Sequence, residues 1–279
     1  AVRRVLPQIR VQAQPGCGAQ SEERGGGPGD GAGAGEVLSE SDSVLSRSDS
    51  IPRPLSLRDA YRKIAQLKRI RLKHVDVEDL IGQIKPLMHG YALGTAKFEV
   101  GRTFYRGRRM ATLPTALLDT RPPLVGASQG RLNRQSRAML YTNLAAGSVF
   151  REIRVEPGET IALFCFRAKR PITAATAGFD IDALQAKGWG RQLPDWCYRS
   201  DGLTARKVNR LVNSFVANEF VKDVSDADDD KLSIAWSEAL LEVKVFDGIT
   251  YPSVANNGIS DNVALRPELL GDSLEIVRI

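Results

Sequence analysis

The sequence predicts an α+β fold, a mixed β core flanked by helices, with a small helical region and a disordered arm before it. Three observations lead there. Short runs rich in apolar, β-branched and aromatic residues have strand length: RTFYR (102–106), TIALFCF (160–166), GITYPSV (248–254), NVALRP (262–267) and SLEIVRI (273–279). Two longer segments, LTARKVNRLVNSFVANEF (203–220) and KLSIAWSEALLEVKV (231–245), repeat apolar residues at helical spacing. The helices interrupt the strands, which is the order of an α+β or α/β domain with a mixed sheet.

In chain order, residues 1–54 read as a disordered arm. GGGPGDGAGAG (25–35) and SESDSVLSRSDS (39–50) hold too few apolar residues to bury a core. Gly25, Gly27 and Gly31 invite a phosphate-loop reading, but no strand precedes them and no helix follows. Residues 55–96 read as a basic helical region. Leu57, Ala60, Tyr61, Ile64 and Leu67 form one helical stripe, and Ser56 with Asp59 makes a capping-box start. A second helix in VDVEDLIGQI (75–84) starts with Asp76 and Asp79 in the same relation and is expected to stop or kink before Pro86. Arg58, Arg62, Lys63, Lys68, Arg69 and Arg71 make this pair basic, which suits a solvated face or an acidic partner surface. Residues 97–279 then read as the main domain. Within 231–245, Leu232, Ala235, Trp236, Ala239 and Leu240 share one helical face.

Composition narrows the function. A chain of 279 residues, 42% hydrophobic, supports a substantial core, and its formal charge of +6 favours anionic partners without naming one. Cys17, Cys165 and Cys197 are odd in number and far apart, so neither a disulfide framework nor a zinc site is expected. Cys165, inside an apolar run, reads as a small core residue, and a reducing, cytoplasmic setting follows from this cysteine usage. No apolar run is long enough to span a membrane.

The chemistry must manage with little histidine. The chain has two, His74 and His89, both in the N-terminal helical region, which argues against histidine-driven catalysis in the main domain. Neither HExxH nor GxxxxGK[ST] is present. The acidic run DADDD (226–230) does not fit a calcium loop, since Lys231 and Ser237 stand where glycine and glutamate are needed. It reads as a solvated loop leading into a helix, and no metal is expected.

What remains is arginines, a tyrosine hydroxyl, a glutamate and a serine at a strand end. Arginine forks match phosphate oxygens, and a carboxylate stabilises an oxocarbenium-like transition state. Tyrosine offers a ring and a hydrogen-bonding hydroxyl. Nicotinamide departs without strong proton assistance, so such a set points toward NAD as substrate. Taken singly, Arg131 also reads as a surface cation, Tyr141 as a core-edge aromatic and Glu152 as a strand-surface carboxylate.

Several pieces occur together and in order: FYRGR (104–108), GRLN (130–133), MLY (139–141), FREI (150–153), which sets Glu152 eleven residues after Tyr141, and DGITYPSV (247–254) followed by NVAL (262–265). In this the region from about Lys97 to Leu270 resembles the RES domain, named for its Arg, Glu and Ser. The resemblance implies an ADP-ribosyltransferase-like fold and a toxin-type enzyme that degrades NAD by hydrolysis or phosphorolysis. It implies that Arg106 and Arg131 hold the NAD phosphates and that Tyr141 lies against the nicotinamide or its ribose. Glu152 would stabilise the anomeric carbon or orient the acceptor, Ser253 would hydrogen-bond within the pocket, and Asn133 would fix the loop. Glu152, Arg131 and Ser253 would form the catalytic set. Leu132 and Arg134-Gln135-Ser136 depart from the Trp and Gly that toxins of the family often carry there. The resemblance also implies an antitoxin or another protein partner, with the region before residue 97 as a place to bind it. Mono-ADP-ribosylation of a protein is the alternative activity. A non-catalytic basic module on nucleic acid is the alternative class, disfavoured because the basic helices carry almost no interleaved aromatics.

Overall fold

The computed structural model describes residues 10–12, 55–89, 91–110, 127–135, 137–180 and 203–279. The arm expected over 1–54 lies outside these residues except for Arg10–Gln12, and Cys17, Cys197 and Ser136 also lie outside them.

The first helix, α1 (Leu57–Arg69), forms as its sequence dictates. The Ser56 hydroxyl accepts from the Asp59 backbone N–H at 3.1 Å and donates to the Asp59 carboxylate at 2.6 Å. Ala60, Ile64 and Leu67 are buried, while Tyr61, expected in the same stripe, is 57% exposed. The basic residues of this region stand mainly in solvent. Helix α2 (Val77–Met88) departs from the expected cap and from the expected stop before Pro86. Asp76 sits at its N-cap without a side-chain cap bond, and the helix runs through Pro86. Proline deletes one hydrogen bond there, but only the last turn follows, and Leu87 and Met88 are buried.

Among the described residues nine strands lie in the order β1-β2-β6-β7-β8-β4-β3-β5-β9. They are β1 (Arg10–Gln12), β2 (Ala92–Phe98), β3 (Thr103–Arg109), β4 (Leu140–Asn143), β5 (Ile161–Ala168), β6 (Ile172–Thr176), β7 (Gly248–Pro252), β8 (Asp261–Leu265) and β9 (Leu274–Arg278). Pairing is antiparallel except for β1 with β2 and β6 with β7. The fold is therefore mixed α+β with a mostly antiparallel sheet. The short helix α3 (Ala146–Glu152) follows β4, and α4 (Leu203–Val221) and α5 (Lys231–Leu241) precede β7. FREI thus closes a helix, so Glu152 is not the strand carboxylate that its isolated reading allowed. Strands β2, β4 and β6 and helix α3 had no expectation of their own, and β1 falls in the stretch expected to be disordered.

Strand alternation divides the core between the two sheet faces. Ile249, Tyr251 and Ala264 join α1, α2, α4 and α5 in one apolar cluster, while Val263, Leu265, Phe104, Phe164 and Phe166 form the other. Helix α5 is buried well beyond its expected face: Ile234, Ser233 and Ser237 are covered along with Leu232, Ala235, Trp236, Ala239 and Leu240. Its two serines donate to backbone carbonyls, which makes that burial tolerable. The boundary expected between 96 and 97 falls inside β2, and α1 and α2 share their core with α4 and α5. Cys165 is only half-buried, because β5 turns Phe164 and Phe166 inward and Cys165 to the other face.

Candidate functional site

The site lies where the sheet opens. β3 pairs with β5 at seven positions, Thr103 to Arg109, but with β4 only at Tyr105↔Asn143. Past Tyr105 the two strands part. A cleft of about 250 Å³ forms there, walled by Arg106 and Gly107 from β3, Tyr141 and Thr142 from β4, Glu152 from α3, and Tyr251 and Asn262 from β7 and β8.

Gly107 explains how α3 reaches this cleft. A Cβ at that position would meet Val149 Cγ1 at 2.6 Å and Ile153 Cδ1 at 2.9 Å. The missing side chain lets the helix that carries Glu152 sit directly on β3. At the end of α3, Glu152 Oε1 accepts from the Ser253 hydroxyl and, at 2.7 Å, from Asn262 Nδ2. No further hydrogen bond reaches Glu152 among the described residues, which leaves Oε2 for a ligand. Ser253 is fully buried and its hydroxyl also accepts from the Asn256 N–H at 3.0 Å. The β7–β8 hairpin supplies both serine and asparagines, and it turns on Asn257 and Gly258, which take left-handed backbone angles of φ 48° and 70°.

Arg106 lines the same cleft. Its Nη1 is buried and has no hydrogen-bond partner among the described residues. Burial, with the like charge of Arg108, pulls its guanidinium down to about 10, below the usual arginine range. It remains a cation at neutral pH, and an expensive one to leave unpaired.

Tyr141 forms the wall between the cleft and the GRLN turn. Its hydroxyl donates to Asn133 Oδ1 at 2.7 Å and accepts from the Leu132 N–H at 3.0 Å. Burial holds the phenol well above its ordinary range, so it acts as a neutral hydroxyl. Asn133 in turn donates to the carbonyls of Ser128 and Arg134, both at 3.0 Å. Gly130 closes the turn tightly: a Cβ there would stand 2.8 Å from the tyrosine hydroxyl. Asn133 therefore fastens the loop and does not line this cleft.

Arg131 is committed elsewhere. Its Nη1 donates to the carbonyls of Phe220 (3.0 Å) and Lys222 (3.1 Å) at the end of α4, and it lies 3.9 Å from Asp230 Oδ1. That is a helix C-terminal cap made by a cation. Asp230, the last acid of DADDD, is largely buried, and that burial raises its carboxyl despite Arg131. The preceding acids cap a 3₁₀ turn at 227–230, with Asp226 and Asp229 forming a capping box. Arg134, at the departure from the RES pattern, pairs bidentately with Glu238 and also with Glu78, tying the GRLN turn to α5 and α2.

The cleft thus gathers Arg106, Tyr141 and Glu152, with Ser253 behind the glutamate, while Arg131 and Asn133 stand behind the tyrosine. Tyr251, Asn143 and Asn256 were not singled out from sequence, and Asn262 was marked only as the asparagine that opens the NVAL strand. For Asn143 and Asn262 the signal is an asparagine within a strand, because the residue is poor in strands and needs partners when buried. Among the described residues no group of three or more His, Cys, Asp or Glu is placed to hold a metal, and no helix is long and apolar enough to cross a membrane.

No family model, curated protein or solved structure matches this chain. The functional reading therefore rests on the cleft itself.

Proposed function

We propose that the protein degrades NAD by cleaving the nicotinamide–ribose bond and passing the ADP-ribosyl group to water or phosphate, in the manner of the RES domains that the sequence resembles. The observation that carries this reading is that one cleft is lined both by Arg106, whose buried Nη1 has no hydrogen-bond partner among the described residues, and by the Glu152 carboxylate. A buried cation without a partner is destabilising unless a ligand completes it, and phosphate is the natural complement of a guanidinium. At about 250 Å³ the cleft is small beside typical ligand pockets of roughly 300–1,000 Å³. It accommodates one end of a dinucleotide, consistent with the nicotinamide ribotide half.

In the reaction, the bond between the anomeric carbon and the pyridinium nitrogen breaks heterolytically. Its electron pair goes to nitrogen, so nicotinamide leaves neutral and needs no proton. Positive charge grows on the ribose, where the Glu152 carboxylate stabilises it. Tyr141 and Tyr251 supply ring surface, and Arg106 holds phosphate. Water or phosphate then bonds to the anomeric carbon, and where water adds, its proton passes to solvent.

Incubation of the purified chain with NAD, with and without phosphate, tests the reading by release of nicotinamide. Release from the wild type and its loss in Glu152→Gln are expected. A folded wild-type chain that releases none under either condition contradicts it.

A further inference from the structure

Glu152 is held by a closed ring of hydrogen bonds. Asn143 Oδ1 accepts the Ala145 N–H at 2.8 Å, just before α3 begins. Because a backbone N–H can only donate, the oxygen of the Asn143 amide is fixed, and its nitrogen must donate outward. It does so to Asn262 Oδ1 at 2.8 Å. That fixes the second amide in turn, so Asn262 Nδ2 donates to Glu152 Oε1 at 2.7 Å. Helix α3 links Glu152 back to Ala145 and closes the ring. Both asparagines are buried, with 2% and 8% exposure, and the pair spans β4, β8 and α3.

We infer that Asn262, oriented by Asn143, is a positioning residue that locks the Glu152 carboxylate with Oε1 in the protein and Oε2 facing the cleft. The inference rests on the proposed role of Glu152 in NAD cleavage. Ser253 alone does not suffice for this task, since a hydroxyl rotates and its hydrogen bond leaves the carboxylate free to swing about the O–O line. Two donors on one oxygen, from different elements, define a direction. The ring also explains how β4 and β8 tolerate buried asparagines near their ends: each amide is satisfied by the next.

Asn262→Asp tests this, because it keeps the acceptor for Asn143 and replaces the donor to Glu152 by an oxygen of like charge. With wild type active on NAD, kcat should fall about 100-fold, the scale of a displacement of about 1 Å at a reacting group, while KM stays within about threefold. Asn262→Ser, neutral and shorter, should fall in the same sense and guards against misfolding of the aspartate variant. The exchange Asn262→Asp with Glu152→Gln restores a donor–acceptor pair, so it should recover the melting temperature but not the activity. A crystal structure of Asn262→Asp or of Asn262→Ser should show the Glu152 carboxylate rotated from its place with the α3 backbone unmoved. That structural readout stands whether or not the wild type cleaves NAD: a carboxylate unmoved in both variants overturns the positioning role. An unchanged kcat in an active enzyme does the same. Wild type inactive on NAD with a displaced carboxylate in the variant would sink the proposed function and leave the positioning role standing.

Discussion

Replacing Arg106 by methionine should make the protein more stable and less able to bind an anion. The side chain's stem is kept and its charge removed. Burial lowers the guanidinium from its ordinary range to about 10, and each pKa unit corresponds to about 1.4 kcal/mol, so carrying the charge costs the folded chain at most ~3 kcal/mol. Solvent screening of a partly exposed group reduces that figure, leaving an expected gain of about 1–3 kcal/mol for Arg106→Met. For a domain of this size, that is a rise in Tm of roughly 2–10 °C. The sign follows from proton binding. The folded pKa is depressed, so between about 10 and the ordinary guanidinium value the unfolded chain binds more protons. The destabilisation is fully present below about 10 and is relieved as pH rises through that window. Thermal unfolding of wild type and variant, each with and without ADP-ribose, reads all of this. ADP-ribose should raise the Tm of the wild type and leave that of Arg106→Met unchanged. A variant that loses more than about 1 kcal/mol would mean that the guanidinium serves the fold, and the reasoning from its unpaired burial would fail.

The remaining predictions concern the groups around that cation. Glu152→Gln should keep Tm close to wild type, because Gln Oε1 still accepts from Ser253 and Asn262, whereas Glu152→Ala should lose about 1–3 kcal/mol by orphaning both donors; denaturant titration separates them. Arg131→Ala should cost about 1–2 kcal/mol through the uncapped carbonyls of Phe220 and Lys222, seen as a lower denaturation midpoint. Gly107→Ala should cost about 1–3 kcal/mol and reduce any NAD turnover, since its methyl would displace Val149 and Ile153 and with them α3; equal stability and equal turnover would contradict the close seat of that helix.

How much of this was legible in the sequence depends on whether a residue's role is local. The Ser56 N-cap is local and forms as read, although the Asp59 carboxylate takes the Ser56 hydroxyl instead of the backbone N–H that a full capping box would give it. The five strand runs are long enough for their composition to speak, and each became a strand. Pro86 shows the limit of local rules, because burial of Leu87 and Met88, invisible in the sequence, outweighs one lost hydrogen bond. Tyr61 fits a helical stripe by spacing, but the stripe in contact is narrower than the stripe of apolar residues. At the site, Arg106, Tyr141 and Glu152 could be named from sequence, and the cleft contains all three. Their mutual geometry could not, since it depends on β3 leaving β4 after a single paired position. Arg131 and Arg106 look alike as arginines in short motifs. Only the fold distinguishes the one that caps α4 from the one in the cleft whose Nη1 has no partner among the described residues. The Asn143–Asn262–Glu152 ring joins residues more than a hundred positions apart, and no spacing rule reaches that far.

The most direct measurement is nicotinamide release from NAD by the purified wild-type chain, beside Glu152→Gln at equal concentration and equal foldedness. Release by the wild type, abolished by that single oxygen-to-nitrogen change, is the result expected of a carboxylate acting at the anomeric carbon. No release from a folded wild type, or equal release from both proteins, would contradict it.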